Sequence, residues 1–192
     1  MNNLHLLNKA VRFATEVHRT QKRKGKDVPY ITHPLAVALI LSRVTKDENI
    51  IIAGILHDTI EDSVPYGSIT KEFIESEFNE DIARMVNDLT EEDKTLPWME
   101  RKLAALKHIP HMAQDSLLVK SADVLHNLTE LNDDIAKDGE SVFKKFNVGK
   151  ADTILRYKKL IPEIKKAWIR NPLIKDLENE LDRLLKLSRK GN

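Results

Sequence analysis

The chain has 192 residues, of which 41% are hydrophobic and 32% charged, with a formal net charge of +1. That amounts to one ordinary domain with enough apolar material for a core, and it excludes a polybasic nucleic-acid binder. The absence of Cys excludes disulfides, a thiolate nucleophile and a zinc–thiolate site. With no charged-then-apolar leader and no apolar run of spanning length, the expectation is a cytoplasmic protein with no membrane or nucleic-acid partner.

Leu4, Leu7, Val11, Ala14 and Val17 recur at spacings of three and four and predict an amphipathic helix over 4–19. Gly25, Pro29 and the basic residues around them predict a loop over 20–32. Pro34 suits the first turn of a second helix, where its missing N–H costs nothing. That helix continues through Leu35, Val37, Ala38, Leu39 and Leu41 to about Val44. Asp47 is the candidate cap of a third, from about Glu48 to Ile60. Its Ile-rich start permits a strand on propensity alone, but its length and its charges at i, i+4 favour a helix.

Val64-Pro65-Tyr66-Gly67 reads as a turn, and Ser68 as the polar cap of a helix carrying Phe73, Ile74 and Phe78. Ile82, Met85, Val86 and Leu89 mark another helix. After an acidic connection from Thr90 to Pro97, Met99, Leu103, Leu106 and Ile109 mark one that ends near Pro110. Leu117 to Leu131 forms a long apolar-to-polar helix starting at Ser116, and Gly139 follows in a turn. Helical patterns then occupy 141–168 and 172–188, separated by Asn171-Pro172. The reading is all-α, with roughly nine or ten helices in one domain over 1–192.

The chemistry gathers in Leu56-His57-Asp58-Thr59-Ile60-Glu61-Asp62, directly after an apolar run. On a helix His57 and Glu61 share a face, and Asp58 and Asp62 share the next. One imidazole and three carboxylates at the end of a buried element are costly unless a cation neutralises them. His33, before Pro34, and Asp123, in Lys120-Ser121-Ala122-Asp123, are the other hard-metal donors. Two imidazoles and two carboxylates suit Mn²⁺, Fe²⁺ or Zn²⁺ better than Ca²⁺.

Glu61 and Asp62, one turn beyond two candidate ligands, are placed to orient or deprotonate a water beside the metal. Asn127 shares a helix face with Asp123 and is placed to touch a substrate there. Residues 1–32 carry seven basic residues against two acidic ones, and residues 61–93 carry eleven acidic against two basic. If these stretches face each other, a basic wall stands beside an acidic, metal-binding floor, which suits a phosphorylated ligand. Within the basic loop, the Arg23 guanidinium is suited to stack on a purine and pair with phosphate.

The ordered set His33 … His57-Asp58 … Asp123 resembles the HD superfamily of metal-dependent phosphohydrolases. Arg23-Lys24, Pro29-Tyr30-Ile31-Thr32-His33-Pro34 and Leu56 to Asp62 resemble the hydrolase domain of the RelA/SpoT proteins. Asp93-Lys94-Thr95-Leu96-Pro97 with Glu100-Arg101-Lys102 is similar to the stand-alone small alarmone hydrolases of Mesh1 type. Val119-Lys120-Ser121-Ala122-Asp123 … His126-Asn127-Leu128 completes the set. The resemblance covers about residues 5–132 and leaves 140–190 similar only in being helical.

It implies a compact HD-domain bundle. It also implies hydrolysis of the 3′-pyrophosphate of guanosine tetra- or pentaphosphate to GDP or GTP and pyrophosphate, with Mn²⁺ bound. By position it makes His33, His57, Asp58 and Asp123 the metal ligands, and Glu61 and Asp62 the residues that work on the water. Arg23, Lys24 and Asn127 would hold the nucleotide. The chain departs from the family where Thr129-Glu130 follow Leu128, since an Arg is common there. The family's later phosphate contacts have only Lys144, Lys145, Lys150 and Tyr157 as candidates. The alternatives are an HD phosphohydrolase acting on another nucleotide, such as a nucleoside monophosphate or NADPH, and a non-catalytic nucleotide-binding helical module. Oligomeric state is open.

Overall fold

The computed structural model describes residues 3–62, 69–91, 95–145 and 148–189. Among them the chain is helical throughout: α1 Asn3–Val17, α2 Thr32–Ser42, α3 Glu48–Leu56, α4 Lys71–Glu77, α5 Glu80–Leu89, α6 Trp98–His108, α7 Gln114–Asp138, α8 Lys150–Ala167 and α9 Ile174–Arg189. Two 3₁₀ turns, Ile109–His111 and Gly139–Lys145, follow α6 and α7. An isolated antiparallel bridge between Lys22 and Pro29 is the extended pairing among the described residues. The chain divides into two compact units, Met1–Asp93 with Met112–Asp123, and Lys94–His111 with Val124–Asn192.

In the first unit α3 is central, packing against α1, α2 and α5, while α4 packs on α5. Its core holds Leu41, Ile52, Leu56, Ile74, Ile82 and Met85, all nearly or fully buried. The caps are local and chemically conventional. Asp47 accepts from Asn49 N at 2.9 Å, Thr70 from Phe73 N at 3.2 Å and Asn79 from Ile82 N at 2.9 Å, each satisfying an orphan donor of a first turn. The predicted Ser68 cap and the Val64–Gly67 turn lie outside the described residues, and α4 takes Thr70 as its cap.

The start of α7 is pinned to α5 by a polar cluster. Arg84 pairs with both carboxylate oxygens of Asp115 and reaches Ser116 Oγ at 3.2 Å. Ser116, fully buried, donates to Asp88 Oδ2 at 2.6 Å. This clasp sets where Asp123, two turns further along α7, enters the first unit.

Gly54 lies where α3 meets α2. A Cβ built there stands 2.5 Å from Leu41 Cδ1 and 3.4 Å from Val37 Cγ1. Leu41 and Val37 have no exposed surface into which to retreat. Gly54→Ala is therefore expected to cost about 1–3 kcal/mol by overpacking, read as a lower denaturant midpoint at unchanged m-value.

The second unit packs α8 against α9, α6 and the first 3₁₀ turn. Ile109, Leu128, Ile161, Ile164, Leu173, Leu177 and Leu184 form its core. Pro162 lies inside α8 on an exposed face, where water can take the carbonyl it leaves unpaired. Asn132 of α7 donates to the Glu180 carbonyl at 2.9 Å and to its carboxylate at 2.7 Å.

Three boundaries differ from the sequence expectation. The third helix stops at Leu56 rather than Ile60, because side chains take its last carbonyls: His57 Nδ1 lies 2.8 Å from Gly54 O, and Thr59 Oγ1 donates to Leu56 O at 2.7 Å. The helix expected from Ser116 to Leu131 runs from Gln114 to Asp138, where Gly139 at φ 64° ends it. The pattern read over 141–168 is split into a 3₁₀ turn and α8, which begins after an extended Gly149.

Candidate metal centre

Three segments of the first unit bring the predicted donors together. His33 is the second residue of α2 and is buried. His57 and Asp58 follow the last residue of α3, so the apolar run 50–56 buries its end and delivers both side chains at its mouth. Asp123 projects from α7 and is also buried. One donor atom from each of His33, His57 and Asp58 falls within 4.8 Å of the others. Asp58 Oδ2 lies 3.0 Å from His57 Nε2 and 3.7 Å from His33 Nε2. Asp123 Oδ1 faces the same two nitrogens, 3.4 Å from His33 and 3.9 Å from His57.

The tautomers follow from the partners. Gly54 O can only accept, so His57 Nδ1 carries a proton and Nε2 is turned into the cluster. Nε2 is fully buried and has no partner in hydrogen-bond geometry. A buried, inward-pointing imidazole nitrogen beside two carboxylates is what a divalent cation would satisfy, so the donors present fit a metal. Both carboxylates are also held from behind. Tyr30 OH donates to Asp58 Oδ2 at 2.6 Å, and Lys120 Nζ donates to Asp123 Oδ2 at 3.0 Å.

The electrostatics are those of a tight buried cluster. Burial lowers the pKa of His33, leaving the imidazole neutral and ready to ligate. Burial also pulls His57 down, but the charges of Asp58 and Asp123 outweigh it and raise His57 to about 9. Burial opposes ionisation of Asp58, yet His57 beside it holds that carboxyl well below the usual range. Asp123 is likewise held low against burial, chiefly by Lys120 and the two imidazoles.

A group raised from 6.5 to about 9 contributes stability that is complete below pH 6.5 and is lost as pH rises through about 9. The metal-free protein is therefore expected to lose stability across that window, as denaturant midpoints will show. Because a ligating His57 must give up its proton, metal affinity is expected to rise with pH over the same window. Near neutral pH about one proton should leave per ion bound, measurable by titration calorimetry in buffers of different ionisation enthalpy.

Glu61 and Asp62 lie in the turn after Asp58, both half-buried. The Asp62 N–H to Asp58 O bond, 2.9 Å, keeps one helical turn's spacing between those two residues although α3 has ended. Asp62 Oδ2 accepts from Gln21 Nε2 at 2.9 Å. Through Gln21 the start of the basic loop stands beside this turn. Arg23 N donates to Val28 O at 2.9 Å and Tyr30 N to Gln21 O at 2.9 Å, while Gly25 turns the loop at φ 72°. Arg23 is half-buried with its guanidinium 5.4 Å from the centre of the Tyr30 ring, and Lys24 is exposed.

Asn127 is half-buried, one turn after Asp123 along α7, in the second unit. Lys150, a candidate phosphate contact, instead pairs with Glu140 and donates to Ser188 O at 2.8 Å, and Tyr157 is a core residue. Sequence reasoning did not place Tyr30, Gln21 and Lys120 against the carboxylates, where they hydrogen-bond to Asp58, Asp62 and Asp123. Lys120 lies one turn before Asp123 and was legible at i, i+3; the other two reach the site only through tertiary contacts.

The HD-domain family profile matches residues 10–152. The chain belongs to the HD-domain family. Among relatives of this HD-domain protein, the guanosine-3′,5′-bis(diphosphate) 3′-pyrophosphohydrolase Mesh1 of Xenopus tropicalis is 45% identical over 129 residues, which span 66% of this chain and 69% of that one. The human Mesh1 is 40% identical over the same shares. A GTP pyrophosphokinase of Myxococcus xanthus is 34% identical over 89% of this chain but only 22% of its own length. Among solved structures, one described as a metazoan ortholog of SpoT that hydrolyses ppGpp superposes with a TM-score of 0.73 at 26% identity, covering 94% of both chains. A Listeria monocytogenes protein of 27% identity gives 0.71 over 80% of this chain and 99% of its own. The two solved structures share the helical fold of this chain.

Proposed function

We propose that this chain is a metal-dependent phosphohydrolase that removes the 3′-pyrophosphate of guanosine tetra- or pentaphosphate, leaving GDP or GTP. The observation that carries the reading is the buried convergence of His33, His57, Asp58 and Asp123, with His57 Nε2 turned inward and lacking a hydrogen bond. The enzymatic activity printed for the Mesh1 relatives supports the substrate.

His33, His57, Asp58 and Asp123 would hold the ion; the mixed imidazole–carboxylate set suits Mn²⁺, Fe²⁺ or Zn²⁺, and of these we assign Mn²⁺, as the family resemblance implies. When bound, it supplies Lewis acidity toward the phosphoryl group and lowers the pKa of water. Tyr30 and Lys120 each occupy one oxygen of a ligating carboxylate and so limit its rotation. Glu61 and Asp62 orient the attacking water and take its proton. The water attacks the phosphorus bonded to O3′, the P–O3′ bond breaks, pyrophosphate leaves carrying the water's oxygen, and O3′ takes up a proton. Arg23 and Lys24, on the loop beside the Asp58–Asp62 turn, bind the nucleotide, with the Arg23 side chain against the base; Asn127 contacts the nucleotide near the ribose.

One observation favours a second substrate within the same chemistry. Thr129-Glu130 stand where an Arg is common, and Lys150 and Tyr157 are engaged within the second unit. Another nucleotide, such as a nucleoside monophosphate or NADPH, is the corresponding reading. Incubating the Mn²⁺-loaded protein with a nucleotide panel separates the two. Pyrophosphate and GDP from guanosine tetraphosphate are expected; orthophosphate from a simple 5′-nucleotide, with the tetraphosphate untouched, would defeat the first reading.

A further inference from the structure

His18 is a buried titratable side chain that the chemistry above does not use. It follows the last residue of α1 and is 1% exposed. Its Nδ1 lies 2.7 Å from Gln21 Oε1, while Nε2 is buried without a partner. Gln21 Nε2 then donates to Asp62 Oδ2 at 2.9 Å. Three residues from the end of α1, the start of the basic loop and the turn after α3 thus form one chain.

The direction of that chain is dictated from its acidic end. An ionised carboxylate can only accept, so Gln21 must present its NH₂ to Asp62. Its Oε1 then faces His18, which must supply an N–H from Nδ1. Reversing the amide would set an oxygen against the carboxylate and leave the His18 donor facing an NH₂. The main chain reinforces the placement, because Gln21 N donates to His18 O at 3.0 Å and Gln21 O accepts from Tyr30 N at 2.9 Å. The same Tyr30 donates to Asp58, and its ring packs 4.9 Å from the His18 ring.

From this geometry we infer that Gln21 is a positioning residue for hydrolysis, fixing the plane of the Asp62 carboxylate, and that His18 fixes the polarity of the Gln21 amide. The inference rests on the assignment of Asp62 to the attacking water. Neither side chain is among the proposed metal ligands or nucleotide contacts. A carboxylate on a turn, without the regular helix that the sequence led one to expect beneath it, needs such a brace to keep its alignment.

Kinetics on the Mn²⁺-loaded 192-residue chain test this. Gln21→Met keeps the length of the side chain and removes both polar ends. It is expected to lower kcat for guanosine tetraphosphate about 10–100-fold, as for other residues that orient a reacting group from behind, with KM and Mn²⁺ affinity unchanged. His18→Leu should give a fall of the same kind. His18→Asn, whose Nδ2–H replaces the ring donor, should restore most of kcat. In an Asp62→Ala background, Gln21→Met should have no further effect, because its partner is gone.

Wild-type kcat in Gln21→Met overturns the inference. So do multiplicative losses in the Asp62→Ala background, or a loss that tracks Mn²⁺ affinity or thermal unfolding. If the wild-type protein cleaves a different nucleotide, the substrate reading alone fails, and the same kcat ratios are read on that nucleotide. A wild type inactive on the whole panel overturns both.

Discussion

Asp58→Asn is expected to weaken Mn²⁺ binding by roughly 10²–10³-fold and to abolish measurable turnover at limiting metal. Asp58 is the most connected donor of the cluster. It lies 3.0 Å from His57 Nε2 and 3.7 Å from His33 Nε2, and it accepts from Tyr30 OH at 2.6 Å. Removing one member of a buried, paired set costs about 3–5 kcal/mol, because the remaining charges stay buried without compensation. At 1.36 kcal/mol per decade that is about two to four orders of magnitude in affinity, and the lower part is kept because the amide oxygen of Asn still offers a weak ligand. Calorimetric titration with Mn²⁺ measures it directly. The substitution also acts on the metal-free state. His57 loses the carboxylate that most raises it, so its pKa should fall from about 9, visible in the ring C–H chemical shifts on pH titration. Unchanged Mn²⁺ affinity in Asp58→Asn would remove this cluster as the metal site.

Glu61→Gln and Asp62→Asn are expected to separate chemistry from metal binding. Each should lower kcat by about 10²–10⁴-fold, the usual span for loss of a positioned general acid or base, while Mn²⁺ affinity stays near wild type. The separation follows from position. Both residues lie in the turn beyond the proposed ligands, half-buried, and Asp62 is held to the first-unit framework through Gln21 and through the Asp62 N–H to Asp58 O bond. Replacing a carboxylate by its amide preserves shape and removes the proton acceptor. A fall in kcat at constant KM locates the loss in the transition state. A parallel fall in Mn²⁺ affinity would instead make the residue a ligand.

Much of the site was legible in the order of its residues. His33 before a helix-opening proline, His57-Asp58 after an apolar run and Asp123 on a second such run point to one metal, because each is a metal-ligating side chain set in or beside an apolar stretch. The basic loop was legible from Gly25 and its charges. Helix α5 was legible from the spacing of Ile82, Met85, Val86 and Leu89, all of which are buried. The end of α3 was not. Periodicity carried the helix through Ile60, but His57 and Thr59 turn their side chains back onto Gly54 O and Leu56 O, a competition that spacing does not express. Lys150 shows the converse: a basic residue eligible for phosphate is committed to Glu140 and Ser188 in the second unit.

By itself the sequence determined the helical class, most caps, the chemical identity of the donors and their order along the chain, because periodicity, local hydrogen bonding and ligand preference are properties of neighbouring residues and side-chain types. Only the tertiary structure decided which atoms of those donors converge, that His57 turns Nε2 rather than Nδ1 inward, and that Tyr30, Gln21 and Lys120 hydrogen-bond to the carboxylates. Tyr30 meets Asp58 across 28 residues and Gln21 meets Asp62 across 41. Contacts of that range depend on how α1, α2 and α3 pack, including the close approach that Gly54 permits, and helix packing is set by the joint fit of many buried side chains rather than by any local pattern.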